Sequence, residues 1–291
     1  MSRLILILCA TLILVLACAA SALAWGPGVH LAAGNFFLAR LDLLSPMVAH
    51  IISANPRAFL YGCLSADIFI GKGTRFTPGH SHNWSTGFKL LLDSAQDLRL
   101  AAYAYGYLSH LAADTIAHNY YIPTMLARTP SGGKLSHVYL ELQADWRMPW
   151  SGRQARALLL QPNGEADACL RDATDQPRRL PFLLKKGLYT SGFLLYDTKS
   201  WRRSLRFMGK ALPGAQDDET LADMIDLSMR VVGSVLNNPT ASPATALDPI
   251  GSRNLSMAQR RRHRLRGFSL ARRRARSFPV DERLARLPRL G

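Results

Sequence analysis

Apolar residues recur at three- and four-residue spacings through most of the chain, and strand-like alternation is scarce. From His30 the pattern is helical up to a break at Ser45-Pro46, and a short second helix runs on to Asn55-Pro56. Arg57 to Ile70 (RAFLYGCLSADIFI) is apolar with Asp67 embedded in it. A carboxylate in such a run either has a partner in the interior or caps a helix at an exposed turn. After a loop from Gly71 to Gly79, helices are predicted over Thr86–Leu98 and Arg99–Tyr120. Ile122-Pro123 is expected to end the second, because the residue before a proline is pushed out of helical geometry. Leu135–Trp146 follows a loop at Thr129–Gly133. Helical spacing then continues, chemically plain, over Gly152–Leu160, Leu183–Tyr196, Lys199–Gly209 and Glu219–Leu236. No internal repeat interrupts it. The expected fold class is all-α, a multi-helix bundle of roughly eight helices.

The two ends of the chain are different in kind. Residues 1–24 have the form of a secretory signal peptide: Arg3, an apolar Leu4–Ala20, and Ala22-Leu23-Ala24 as a cleavage site. Cleavage there makes Trp25 the new N-terminus and predicts an exported protein, periplasmic, outer-envelope or secreted. A competing cut at Cys18 would leave Trp25 internal. Cys63 and Cys169 remain after processing, and the sequence leaves open whether they pair or stay free. The formal net charge of +16 suggests a nucleic-acid partner until it is located: thirteen arginines lie beyond residue 252 against Asp281 and Glu282. Residues 239–291 therefore read as a linker (NNPTASPATALDPIGS, from Asn237) and a basic tail, disordered or partly helical in isolation, able to touch anionic lipid, lipopolysaccharide or nucleic acid through charge alone. A solvated appendage without a partner reads equally well. Residues 25–238 form the expected folded domain.

Candidate chemistry concentrates before residue 142. His110, Asp114 and His118 lie four residues apart in a predicted helix (GYLSHLAADTIAH), a spacing that places all three on one broad face. His137 and Glu141 repeat that spacing on the next helix. Imidazoles and carboxylates are ligands of transition metals when deprotonated, and two such helices offer five. His30, Asp67 and the segment His80-Ser81-His82-Asn83-Trp84 add further donors, whereas His50 and His263 read as ordinary surface residues.

WGPGVH, GCLSADIF, HSHNW, GYLSHLAADTIAH and HVYLE occur in the order found in the zinc-dependent phospholipase C family, which this chain resembles. The N-terminal domain of glycosylphosphatidylinositol-specific phospholipase D is similar too, as are, more distantly, the secreted single-strand nucleases of the same fold. The resemblance covers Trp25 to Trp146 by motif and reaches Asn237 by helical pattern. It implies a trinuclear zinc site, with Asp114 bridging two of three Zn2+ ions. One of these takes His110, His82 and Asp67 as well; the other takes His30 with the α-amino group and carbonyl oxygen of Trp25. The third takes His118, His137 and Glu141. His80 is the alternative to His82. The five-residue step from Trp25 to His30 is closer to the nucleases, while His118 and Glu141 favour the phospholipases.

The implied activity is phosphodiester hydrolysis by a zinc-activated water, with Asp67 as ligand or catalytic base and phospholipid at a membrane surface as substrate. No specific nucleic-acid partner is expected. Tyr61, Phe76, Trp84, Tyr120 and Tyr121 either line a lipid cleft or pack the bundle. The alternatives are a single-strand nuclease or nucleotidase, and a zinc-stabilised envelope protein without catalysis. A chain cut after Asn237 is expected to keep its rate on soluble substrate.

Overall fold

The computed structural model describes residues 25–69, 81–129, 134–176, 178–196, 198, 217–265 and 276–290, and of residues 134–138 and 195 the backbone alone. The predicted leader 1–24, His80, Phe76 and the helix expected over Lys199–Gly209 lie outside these residues. Every regular element among the described residues is helical. The α-helices are α1 (Pro27–Ala39), α2 (Pro46–Ala54), α3 (Pro56–Ser65), α4 (Trp84–Asp93), α5 (Leu98–Ile116), α6 (Ile122–Arg128), α7 (Lys134–Arg147), α8 (Gly152–Leu160), α9 (Gly164–Ala173), α10 (Arg179–Tyr196), α11 (Asp218–Asn237), α12 (Ser252–Arg264) and α13 (Glu282–Ala285). None is long and apolar enough to cross a membrane.

The bundle is built around α5. Its start is fixed by Asp97, whose carboxylate accepts the Arg99 and Leu100 N–H groups. From Ala101 to Ile116 every residue is buried, as an all-round apolar helix requires. Helices α1, α2, α3, α4 and α11 pack against it, α3 most extensively. Where α3 crosses α5, the backbones themselves touch. A Cβ on Gly62 would overlap the Tyr103 carbonyl, and one on Gly106 would overlap that of Phe59. Larger residues would separate the helices, so this glycine pair sets how near the end of α3 comes to His110 and Asp114.

Two expectations are corrected here. Pro123 does not end the helix. Ala117–Tyr121 forms a π turn, in which the Ile122 N–H donates to the Ala117 carbonyl, and α6 then begins with the proline in its first turn. That position needs no N–H from proline, and the wider turn removes the clash with the preceding turn. The second correction concerns residues 239–291. Among the described ones, Pro243–Ala246 forms a 3-10 turn, α12 packs on α6 and the π turn, and α13 packs on α11. Ala244, Ala258, Phe278 and Leu284 are buried. These few apolar side chains, spaced between arginines, suffice to hold the segment on the bundle. Cys63 and Cys169 are free thiols, Cys63 buried and Cys169 half-buried.

Candidate metal centre

Six predicted donors converge from five places in the chain. Trp25 precedes α1 and His30 lies in its first turn; Asp67 sits in the 3-10 turn Ala66–Ile68 after α3; His82 lies just ahead of α4; His110 and Asp114 are on α5. His30, Asp67, His82, His110 and Asp114 are each no more than 1 % exposed. Of the two readings open for Asp67, interior carboxylate and exposed cap, the first holds.

The Asp114 carboxylate stands at the middle, and its two oxygens face different groups. Oδ1 lies 3.1 Å from His30 Nε2 and accepts from the Trp25 backbone nitrogen at 3.4 Å. Oδ2 lies 3.0 Å from His82 Nε2 and 3.3 Å from His110 Nε2. Asp67 Oδ1 closes the second group, 3.3 Å from His82 Nε2 and 3.7 Å from His110 Nε2. The rings of His30 and His110 stack with centroids 3.7 Å apart. Zinc–ligand bonds of 2.0–2.1 Å in a tetrahedron place neighbouring donors about 3.3 Å apart, which is the scale of these separations.

The donor set fits a metal on chemical grounds as well. Neither ring nitrogen of His30, nor Asp114 Oδ2, makes a hydrogen bond among the described residues, although all three atoms are buried. Leaving buried polar atoms unsatisfied is costly, and a cation shared among them removes the cost. Burial, reinforced by His110, lowers the His30 pKa and keeps its imidazole neutral. Burial pushes the Asp114 carboxyl up, but the His110 and His30 imidazoles outweigh that and hold it well below the usual carboxylate range. Neutral imidazole and ionised carboxylate are the forms that bind metal.

Outer contacts aim the rings. His110 Nδ1 lies 2.9 Å from the Cys63 carbonyl, a contact the close α3–α5 crossing permits. A carbonyl only accepts, so Nδ1 carries the proton and Nε2 presents its lone pair to the centre. His82 Nδ1 faces Ser81 Oγ at 3.1 Å. His118, buried in the π turn, is held the same way by the Pro249 carbonyl at 2.7 Å from Nδ1. It belongs to neither of the donor clusters that include His110. Glu141 is buried on α7, and the His137 side chain lies outside the described residues.

Two contributors were not anticipated. The Pro249 carbonyl is backbone, invisible to any reading of residue types. Asp145 is the other: one helical turn past Glu141, it is buried, and its Oδ1 accepts the Val29 N–H at 3.0 Å. It thus caps α1, whose own N-cap Gly26 has no side chain to do so. A Cβ at Gly26 would overlap this carboxylate, so the WGPG turn and Asp145 are matched. The i, i+4 relation to Glu141 was the only available clue. Burial pushes the Asp145 carboxyl up to about 8. Unfolded, it releases its proton at about 4, so between these values the folded chain binds more protons and stability falls as pH rises. Asp145→Asn keeps the acceptor oxygen and is expected to flatten that decline. Melting temperatures from pH 5 to pH 9 at saturating zinc check this, and equal slopes for the two proteins would refute it.

The aromatic residues offered as a lipid cleft are packing where they are described. Tyr121 stacks on Trp25 at 4.9 Å, Tyr61 donates to Asp167, the Trp84 indole donates to the Leu247 carbonyl at 2.9 Å, and Tyr120 accepts from the Asp281 N–H. A family model described as zinc dependent phospholipase C matches residues 29–180, just over half of the chain. No curated protein and no solved structure matches it.

Proposed function

The chain belongs to the zinc-dependent phospholipase C family, and from that premise we propose that it is an exported metallo-phosphodiesterase cleaving phospholipid into diacylglycerol and a phosphorylated head group. The observation that carries this reading is the Asp114 carboxylate, one oxygen toward Trp25 and His30, the other toward His82 and His110. Such a carboxylate suits a bridge between two cations. Trp25, His30 and Asp114 would hold one zinc, Asp67, His82, His110 and Asp114 a second, and His118, His137 and Glu141 a third. Zinc held there would lower the pKa of a bound water toward neutrality and offset charge on phosphate oxygens.

The protein's own part is placement and proton handling. The Cys63 and Pro249 carbonyls keep His110 and His118 in the tautomer that presents Nε2. Asp67, at the edge of the His82–His110 group, serves as ligand or as the base that takes the water's proton. Cleavage after Ala24 turns the Trp25 nitrogen, already beside Asp114, from an amide into an amine able to ligate.

Mature protein beginning at Trp25 should release phosphocholine and diacylglycerol from short-chain phosphatidylcholine, lose that activity on chelation, and leave single-stranded DNA intact. Release of nucleotides from the DNA with the lipid untouched would move the chain to the nuclease reading. Zinc content near three per chain with neither substrate cleaved would leave an envelope protein without catalysis.

A further inference from the structure

Helix α10 is amphipathic in the reverse sense for a surface helix. Its inward side carries Phe182 against Phe69, Lys186 paired with Asp167 at 2.8 Å, and Phe193 edge-on to Trp150. From Leu180 to Leu194 its outward side has no charged residue. Leu180, Leu183, Leu184, Leu188 and Leu194 are 68 %, 43 %, 67 %, 50 % and 59 % exposed, with Pro181, Gly187 and Ser191 completing the face. On a 3.6-residue helix these positions form one stripe about 21 Å long. Scattered exposed leucines need no explanation, but a continuous stripe over four turns does.

We propose that this stripe docks the protein on a lipid surface bearing anionic head groups. The choice of occupant rests on the phospholipase reading above and on three observations of this chain. The helix has no acid, and with Lys186 buried on Asp167 the cations beside the face are half-buried Lys185 and exposed Arg178 and Arg179 at the N-terminal end. The eighteen residues that follow Thr198 in the sequence carry five cations and no acid, within a chain of net charge +16. An apolar face of leucine with cations beside it is the composition of helices that lie in the plane of a membrane interface. Protein interfaces instead favour aromatic, methionine and arginine anchors, which this face lacks. The inner side of α10 packs on the turn that carries Asp67, so the lipid surface would lie about one helix diameter, 10–12 Å, from that turn.

The test compares the full-length mature protein with its Leu184→Glu/Leu188→Glu variant by co-sedimentation with vesicles. The vesicles are phosphatidylcholine alone, or with about a third phosphatidylglycerol. The wild type should partition onto the anionic vesicles, more weakly at high salt, and the variant at least tenfold less. Both should hydrolyse a short-chain phospholipid below its micelle concentration at rates within twofold and keep the same melting temperature. Absence of wild-type partitioning, or undiminished partitioning of the variant, overturns the proposal. So does a wild-type dimer that the variant converts to monomer, which would make the face a contact between two copies. If neither protein cleaves the monomeric lipid while vesicle binding behaves as described, the docking surface stands and the phospholipase reading falls.

Discussion

Asp114→Asn should lower phosphodiester hydrolysis by roughly three orders of magnitude or more, the upper range for losing a single charge-stabilising group. The reason is geometric. One carboxylate meets His30 and Trp25 through one oxygen and His82 and His110 through the other, so one substitution disables both groups of donors. An amide offers one weak acceptor and two N–H donors, and the donors would point at imidazole nitrogens that must be lone pairs for metal to bind. Zinc content measured by mass spectrometry should fall from about three per chain toward one, the site of His118 and Glu141 being the survivor. The melting temperature should fall with it, because ions that bind only the folded state stabilise it by mass action. Helix content by circular dichroism should be unchanged. An Asp114→Asn protein with its full zinc complement would refute the bridging role.

The second large effect is expected from removing residues 239–291. The sequence alone argued that a cut after Asn237 is harmless; the structure argues the opposite. Phe278 is 5 % exposed and Leu284 fully buried, and side chains of this kind contribute about 1.5–3 kcal/mol each through burial. Three buried donors also lose backbone acceptors: the Trp84 indole loses Leu247, the Asn119 amide Asp248, and the His118 imidazole Pro249. With the segment gone water can reach these donors, so each lost bond costs about 0.5–1.5 kcal/mol net. The sum rivals the stability of an ordinary domain, so the truncated chain should be insoluble or melt at least about 10 °C lower. If it does not fold, Phe278→Ala provides a milder variant, expected to cost about 3–5 kcal/mol. A truncated protein with an unshifted transition would mean that the segment only rests on the bundle.

Much of the site was legible because its information is local. His110 and Asp114 announce themselves by a four-residue step within one helix, and His30, Asp67 and His82 stand in short motifs that a family resemblance can carry. What escaped is what depends on distant partners. The thirteen arginines beyond residue 252 dominate any composition measure and hide Ala258, Phe278 and Leu284, whose role depends on the surfaces of α6 and α11 waiting for them. Asp145 reads as one more acid on a helix until α1 is laid across it. The exposure of the α10 leucines gave no sign in a chemically plain helical pattern, because periodicity reports that a stripe exists and not whether anything covers it.

The π turn at Ala117–Tyr121 has a consequence of phase. Each residue of a regular helix turns the next by about 100°, so one additional residue in a turn resets the compass bearing of everything after it. His110, Asp114 and His118 are evenly spaced as letters, yet the third, at the start of the π turn, stands outside both donor clusters that hold His110 and is tethered to Pro249. A single rod thereby serves two separate destinations. Deleting one residue between Asn119 and Tyr121 would restore the even pitch and bring the ring of Pro123 against the preceding turn, so in this stretch the number of residues matters as much as their identity.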